Sequence, residues 1–243
     1  MARLHLHTFG DGEPLVCLHG VTGHGQRFER LSAHLPGRRL LAPDMRGHGR
    51  STYEPPWTTE QLAADVLETV PGEPLDWLGF SYGGRIAAHV AATHPASVKR
   101  LVLLDPALHV DPGEASERAD DARETEVYAD EADYARRTLA EGKLFHTSRE
   151  VLEADAREHG YRIDGRLHLR FSPAMTVTAW SEMARPAPPA AGVPTLAVTG
   201  TRSWLPVDVG RLTGARHVAV DGGHSLLWED VQAVASAVAD FLA

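Results

Sequence analysis

The sequence predicts an α/β fold in which helices flank a mostly parallel, doubly wound sheet and a helical cap is inserted into the core. Three observations support this prediction. Short apolar runs alternate with amphipathic stretches up to Asp105, a densely charged helical pattern occupies residues 111–185, and the alternation returns from residue 195. Because such alternation is typical of strands buried between helices, it indicates a sheet covered on both faces.

The length and composition of the chain fit one core domain that an insertion divides. The chain has 243 residues, of which 43% are hydrophobic, and this is enough to bury one substantial core. We expect residues 1–110 and 186–243 to form the core and residues 111–185 to form the inserted cap, or lid.

Apolar runs supply the predicted core strands, and amphipathic stretches between them supply the helices. Leu62, Val66 and Val70 recur at helical spacing after Thr58 and Thr59, either of which suits an N-cap. This stretch is predicted to be a crossover helix. The strand runs before the cap are LVCLHG, RRLLAPD, LDWLGFS and VKRLVLLD, and the helical stretches are QRFERLSAHL, TTEQLAADVLETV and GGRIAAHVAATHP.

The predicted cap is mostly helical in pattern, and its charged positions are typical of a solvated helix face. Asp164-Gly165 separates two short β-prone runs and predicts a turn, whereas MTVTAWSEMA predicts a helix. Residues 184–194 are rich in proline and indicate a stiff return linker. The apolar positions expected to face the core or a substrate are Val127, Tyr128, Tyr134, Leu139, Leu144 and Phe145.

Two further strands and one long final helix are predicted after the cap. The strand runs are TLAVTG at residues 195–200 and RHVAVDG at residues 216–222. SLLWEDVQAVASAVADFLA then follows as a single helix. Counted on both sides of the cap, the core is expected to contain about seven strands.

The charge of the chain bears on its partners. Lys and Arg number 24 against 33 Asp and Glu, which gives a net charge of −9. Because phosphate-rich surfaces would repel such a protein, this balance disfavours nucleic-acid and anionic-membrane partners and favours a small-molecule substrate. The sequence leaves open whether the chain is a monomer or a homodimer.

The cysteine content and the N-terminal segment predict a cytoplasmic protein. Cys17 is the only cysteine and lies in an apolar run, so the chain forms no internal disulfide. Residues 1–14 lack the continuous apolar segment of a secretory signal. No run reaches the roughly 18 apolar residues that a membrane span requires.

We expect neither a cofactor nor a metal ion. Glycine-rich loops after strands are typical of phosphate binding, but the chain contains neither a Gly-x-Gly-x-x-Gly nor a Gly-x-x-x-x-Gly-Lys-Ser/Thr sequence. Several histidines are scattered without the spacing of metal ligands, namely His5, His7, His34, His89, His94 and His217.

The main chemical signal is the Gly-x-Ser-x-Gly sequence at residues 79–83, between a predicted strand and a predicted helix. A nucleophile on such a sharp turn needs small neighbours two residues away, because larger side chains would collide within the turn. The helix that begins near Tyr82 points free N–H groups towards Ser81, which favours a developing oxyanion. Ser81 is therefore the candidate nucleophile.

Two more motifs accompany this turn. His19-Gly20 follows the first predicted strand, and Asp44-Met45-Arg46-Gly47-His48-Gly49-Arg50-Ser51 follows the second. In order and spacing, the three motifs resemble those of the α/β-hydrolase family over the first 105 residues, and the resemblance resumes over residues 195–243. It implies the α/β-hydrolase fold, serine esterase or lactonase chemistry, and an oxyanion hole made by the backbone N–H groups of Val21 and Tyr82.

The candidate general base is His224, in the sequence Asp221-Gly222-Gly223-His224. In this fold the catalytic residues follow the chain order Ser, acid, His, so the base lies after Ser81. His224 stands after the last predicted strand, where two glycines let the loop carry the imidazole over the sheet edge. A neutral imidazole accepts a proton readily at neutral pH.

The position of the acid departs from the family pattern. Where the family usually carries an aspartate, after TLAVTG, this sequence has Ser203. Some members place the acid at the end of the strand that follows the nucleophile helix, and this position holds Asp105. We take Asp105 as the acid, with Asp208 as the competing candidate. Asp105 is also interpretable as a strand-end residue that binds local N–H groups.

Together these residues predict hydrolysis of a small ester or lactone through an acyl-enzyme intermediate. Val21, Tyr82 and Trp204 are predicted to contact the substrate, although Trp204 equally suits the core. Carbon–carbon bond hydrolysis and acyl transfer, including perhydrolysis, use the same triad and stay open as alternatives. Because the usual register lacks an acid, a non-catalytic, receptor-like role in ligand binding stays open as well.

Overall fold

The computed structural model describes residues 4–189, 192–205, 207, 212 and 214–243. Its strands are β1 (Leu6–Phe9), β2 (Glu13–Leu18), β3 (Arg38–Pro43), β4 (Leu75–Phe80), β5 (Val98–Leu104), β6 (Gly160–Ile163), β7 (Arg166–Leu169), β8 (Thr195–Gly200) and β9 (Arg216–Val220). Its α-helices are α1 (Glu29–Ser32), α2 (Thr59–Thr69), α3 (Tyr82–Thr93), α4 (Pro112–Asp121), α5 (Glu131–Ala140), α6 (Arg149–His159), α7 (Pro173–Met183), α8 (Leu226–Glu229) and α9 (Val231–Leu242).

Within the described part of the chain, a seven-stranded sheet in the order β1-β3-β2-β4-β5-β8-β9 forms the centre of the molecule. β1 runs antiparallel to β3, and the other neighbouring pairs are parallel. Helices α2, α3 and α7 contribute to one apolar cluster, and α1 and α9 contribute to a second. This arrangement confirms the predicted fold class, a mostly parallel, doubly wound sheet flanked by helices.

Strand β1 is the one strand of this described sheet that the sequence did not locate. Its four residues include His7 and Thr8, and they lie partly buried or exposed at the sheet edge. A strand of this kind produces no continuous apolar run, because only strands buried on both faces need one.

Two predicted helices are shorter in the structure than expected. The stretch at residues 26–35 forms a 3-10 turn at Gly25–Phe28 and the four-residue α1. The final helix breaks at Asp230, whose side chain accepts the Ala233 N–H at 2.9 Å, so that α9 begins anew. An aspartate favours this N-cap geometry over a continuing helix. No described helix combines the length and the hydropathy that a bilayer crossing requires.

The segment between β5 and β8 contains α4 to α7 and a hairpin formed by β6 and β7. The hairpin confirms the turn predicted at Asp164-Gly165, where φ is 48° and 76° respectively. Positive φ at both residues is what a two-residue type I′ turn requires. These elements lie within residues 111–185, the range predicted to form the cap, and 'the cap' is used below only as the name of this segment.

The apolar positions predicted in this segment divide into two groups. Tyr128 and Tyr134 lie in a small separate core, against which Leu139 and Leu144 pack. Val127 is only partly buried, and Phe145 is 42% exposed. Phe145 nevertheless contacts the core as expected, because its ring lies 3.9 Å from the guanidinium of Arg202 and a Cβ at Gly223 would lie 3.1 Å from it.

Asp155 on α6 ties the cap to the core. Its buried carboxylate accepts hydrogen bonds from Arg27 Nε and Nη2 at 2.8 and 2.9 Å, and it lies 3.0 Å from His24 Nε2. Burial alone would raise the pKa of Asp155, but the charge of Arg27 and the hydrogen bonds from His24 and Arg27 outweigh it and hold that pKa well below its ordinary value. The link is therefore a buried ion pair.

Glu229 on α8 makes a second link between the core and the cap. Its buried carboxylate accepts hydrogen bonds from the backbone N–H groups of Phe145 at 2.9 Å and His146 at 2.8 Å. Both belong to the loop between α5 and α6. Beside these hydrogen bonds, Gly223 has no room for a side chain, because a Cβ there would lie 2.5 Å from the Lys143 carbonyl oxygen. The cap loop thus rests directly on the loop that precedes α8.

Replacing Asp155 with Asn tests the buried ion pair. Asp155→Asn leaves Arg27 buried without its carboxylate, and we expect the free energy of unfolding to fall by about 3–5 kcal/mol. Urea unfolding followed by circular dichroism measures the change. Glu153→Gln is the matched control on the same helix, since its 2.6 Å pair with Arg149 is solvent-exposed and is worth less than about 1 kcal/mol. Equal stability of Asp155→Asn and wild type would refute this role.

Candidate active site

Ser81 occupies the sharp turn between β4 and α3. Its φ of 54° and ψ of −119° form a backbone conformation that residues other than glycine rarely adopt. The Ser81 N–H donates to the Leu104 carbonyl of β5 at 3.0 Å, and the Gly84 N–H donates to the Ser81 carbonyl at 2.9 Å. These bonds hold Ser81 at the carboxyl end of the two central strands, where it lines a cavity.

The glycines on either side of Ser81 are required by packing. A Cβ at Gly79 would lie 2.4 Å from the Gly83 carbonyl oxygen, and a Cβ at Gly83 would lie 2.3 Å from the Leu18 carbonyl oxygen. Both distances are far inside van der Waals contact, and the clashing atoms are backbone. The turn therefore tolerates only glycine at these two positions, as the motif predicted.

His224 lies on the loop between β9 and α8. Its Nε2 is 2.9 Å from Ser81 Oγ. The rings of Phe80 and Trp204 pack beside the imidazole, each with a centroid distance of 5.1 Å. His224 precedes a helix of only four residues, rather than opening the long helix that the sequence predicted.

Asp105 follows β5 and is fully buried. Its Oδ2 lies 2.5 Å from His224 Nδ1, and its Oδ1 accepts the Gly200 N–H at 3.0 Å. Asp105 thus contacts the candidate base, whereas the N–H group that it binds belongs to β8 and not, as the alternative interpretation held, to its own strand end. Ser203 also lies beside this carboxylate, with its Oγ 2.5 Å from Oδ2. The competing candidate, Asp208, lies outside the described residues.

These side chains form a continuous series of hydrogen bonds. Because Nδ1 of His224 faces the buried carboxylate of Asp105, the ring proton belongs on Nδ1, and Nε2 accepts the hydroxyl proton of Ser81. A base in this tautomer is oriented to take the proton of the serine. Chemically, the arrangement suits attack by Ser81 Oγ on an electrophilic carbon.

The loop after β2 crosses directly against Ser81. A Cβ at Gly20 would lie 3.0 Å from Ser81 Cβ, so glycine permits this approach. The next residue, Val21, lines the cavity above the serine. Among the described residues, neither the Val21 N–H nor the Tyr82 N–H donates to a protein acceptor. Both donors are thus available beside Ser81.

His19 holds this loop in place, a role that sequence reasoning did not identify. The Met45 N–H donates to His19 Nε2 at 2.9 Å, so the proton of the ring lies on Nδ1 and is donated to the Gly20 carbonyl at 2.8 Å. Burial lowers the pKa of His19 well below its ordinary value, and the ring stays neutral. The sequence shows His19-Gly20 and Asp44-Met45 as parts of two separate motifs, and the structure brings the two motifs into contact.

A cavity of about 370 Å³ lies over Ser81 between the core and the cap. Val21 and Trp204 line it, and Trp204 also packs against the core. Tyr82 differs, because its side chain is fully buried in the core and offers no contact to a molecule in the cavity. Of the contacts predicted for Tyr82, only the one made by its backbone N–H is therefore left. Sequence reasoning missed other aromatic and apolar walls, namely Phe171, Trp180, Met183, Leu205 and Trp228.

Two histidines that are scattered in the sequence meet a carboxylate in the structure. Potential ligand atoms of His5, His7 and Asp44 lie within 4.8 Å of one another. The Asp44 carboxylate, however, accepts the Gly25 N–H at 2.7 Å and the Arg50 N–H at 2.9 Å, and it lies 3.1 Å from His7 Nε2. Its oxygens are committed to holding the surrounding loops, which does not suit a metal ligand.

Known proteins share this fold and parts of this sequence. A family model for the alpha/beta hydrolase fold matches residues 13–231. Lipase LipV of Mycobacterium tuberculosis strain H37Rv is 38% identical over 188 residues, which are 75% of this chain and 72% of that protein. A pimeloyl-(acyl-carrier protein) methyl ester esterase of Vibrio vulnificus is 38% identical over 103 residues, 41% of this chain and 39% of that enzyme. The crystal structure of E-2-(acetamidomethylene)succinate hydrolase, 19% identical, matches with a TM-score of 0.88 over 100% of this chain and 98% of that one.

Gly79→Ala tests the packing constraint at the turn. The added methyl group would meet backbone atoms that cannot rotate away, and we expect the free energy of unfolding to fall by about 1–3 kcal/mol. Chemical unfolding measures the change. Gly72→Ala is the matched control, because a Cβ there meets no atom within 4 Å, and it should change stability by less than about 1 kcal/mol. If the two variants were equally stable, the turn would not depend on glycine.

Proposed function

The chain belongs to the alpha/beta hydrolase fold family, and from that premise we propose that it is a serine hydrolase with Ser81 as nucleophile, His224 as general base and Asp105 as acid. Relatives named as a lipase and a methyl ester esterase support hydrolysis of esters in general. Our finer proposal is that the enzyme cleaves a small ester or lactone through an acyl-enzyme intermediate.

One observation carries the proposal: the hydrogen-bonded series from Ser81 Oγ through His224 to the buried Asp105 carboxylate. A serine hydroxyl alone is a weak nucleophile, and a base in contact with it is what makes it reactive. A carboxylate at Nδ1 then stabilises the imidazolium that forms when Nε2 takes the proton. Each of these requirements has a named group here.

In the first half of the reaction, Ser81 Oγ attacks the carbonyl carbon while His224 Nε2 accepts its proton. The N–H groups of Val21 and Tyr82 bind the oxygen that becomes negative in the tetrahedral intermediate. His224 then gives the proton to the departing alcohol oxygen. The carbon–oxygen bond of the ester breaks, and the acyl group stays on Ser81.

In the second half, a water molecule takes the place of the alcohol. His224 Nε2 removes a proton from the water, whose oxygen attacks the acyl carbon, and the same two N–H groups bind the oxyanion again. The proton returns to Ser81 Oγ as the carboxylic acid leaves. For a lactone, the alcohol and the acid are parts of one product.

The cavity favours a small and largely uncharged substrate. A volume of about 370 Å³ is near the lower end of ordinary ligand sites. Trp180, Met183 and Leu205 give it apolar walls suited to an acyl group. The cavity is lined by the carboxylates of Asp121, Glu124, Glu126 and Glu141 and by the guanidinium groups of Arg27 and Arg118. The excess of carboxylates disfavours an anionic substrate.

Ser81→Ala tests the nucleophile. We expect kcat/KM for p-nitrophenyl butyrate to fall at least about 10³-fold, because the acyl-enzyme has no oxygen on which to form. A fluorophosphonate should label wild type once per chain, as measured by intact mass, and should leave Ser81→Ala unlabelled. A wild-type protein that neither turns over esters nor reacts with the phosphonate would instead support the receptor-like role.

Asp105→Asn tests the acid against its competitor. Loss of the carboxylate removes the group that orients the His224 ring, and we expect kcat to fall about 10³–10⁴-fold. The comparison variant, Asp208→Asn, should stay within about twofold of wild type, with the fold of both checked by circular dichroism. The reverse pattern would assign the acid to Asp208.

A further inference from the structure

One oxygen of the Asp105 carboxylate serves two partners. Oδ2 lies 2.5 Å from His224 Nδ1 and 2.5 Å from Ser203 Oγ. The other oxygen, Oδ1, accepts the Gly200 N–H at 3.0 Å. Since Asp105 is fully buried, these groups replace the water that a carboxylate would otherwise bind.

The direction of the Ser203 hydrogen bond is fixed by its surroundings. The Leu205 N–H donates to Ser203 Oγ at 3.1 Å, so the hydroxyl oxygen is already an acceptor there and its own proton points to Asp105. The backbone of Ser203 is held as well, because its N–H donates to the Gly200 carbonyl at 3.2 Å. The loop after β8 therefore presents a fixed donor to the carboxylate.

We propose that Ser203 is a positioning residue that extends the series Ser81–His224–Asp105 by a fourth member. This inference rests on the proposed function. The Ser203 hydroxyl holds the carboxylate in the plane that meets Nδ1, and it draws negative charge towards itself on the oxygen that faces the imidazole. Ser203 thereby sets both the orientation of His224 and how firmly that ring holds a proton.

The proposal predicts the effect of Ser203→Ala on rate and on pH dependence. Without the hydroxyl, Oδ2 concentrates its charge on His224, and the ring keeps its proton up to a higher pH. We expect the acid-side half-maximum of kcat/KM to move upward by about half a pH unit, and kcat to fall about tenfold with KM within about twofold of wild type. If Ser203→Ala only loosened the packing of the loop, the pH profile of kcat/KM would not change.

Three comparisons complete the experiment, each on p-nitrophenyl butyrate with folding checked by circular dichroism. Ser203→Thr keeps a hydroxyl and should keep the wild-type pH profile. Thr201→Ala, on the same loop, removes an exposed hydroxyl that binds Asp221 at 3.3 Å, and it should leave rate and profile unchanged. In the Asp105→Asn background, Ser203→Ala should lower kcat by less than about twofold, because the partner through which it acts is already altered.

The outcomes separate this inference from the function on which it rests. Turnover that is independent of Ser81 would overturn both. Turnover that depends on Ser81, with an unchanged pH profile in Ser203→Ala, would overturn the role of Ser203 alone. The same would follow if Ser203→Ala lowered kcat equally in the wild-type and Asp105→Asn backgrounds, since its effect would then not pass through Asp105.

Discussion

The site depends on the satisfaction of one buried charge. Asp105 lies at the end of β5 without access to water, and each of its hydrogen-bond donors comes from a different part of the core: the end of β8, the loop after it, and the loop after β9. Because an unpaired buried carboxylate is costly, the folded state must bring these segments together. The parallel sheet makes this feasible, since the carboxyl ends of β4, β5, β8 and β9 meet at the same edge.

Much of this arrangement follows from the sequence. Parallel strands buried on both faces need continuous apolar runs, which is why β2, β4 and β5 were recognisable. Ser81 and His224 could be located because tight turns need glycine at defined offsets. The candidate acid was harder to place, because the choice between Asp105 and Asp208 depends on how the ends of neighbouring strands align. That register, Leu104 opposite Val198 in β5 and β8, is a tertiary property without a local signal.

Other features had no signal in the sequence because they depend on tertiary packing. The Tyr82 side chain enters the core rather than the cavity, although it stands beside Ser81, because the first turn of α3 faces the helix layer. Hydropathy also predicts nothing about which cap aromatics line the cavity and which, like Phe145, cover a neighbouring guanidinium. At Asp230, a local capping preference outweighed an uninterrupted helical pattern.

The contact between the loop at residues 143–146 and the loop of His224 would couple any movement of the cap segment to the candidate base. Glu229 accepts hydrogen bonds from the backbone N–H groups of Phe145 and His146, and Gly223 packs directly against the Lys143 carbonyl. A movement that lifts this part of the cap therefore removes a support from the neighbourhood of the imidazole. Under the proposed function, access and reactivity would then be opposed, because a lifted cap would admit a substrate while it leaves the His224 loop less constrained. A substrate would in that case have to fit the closed cavity before its bond could be cleaved.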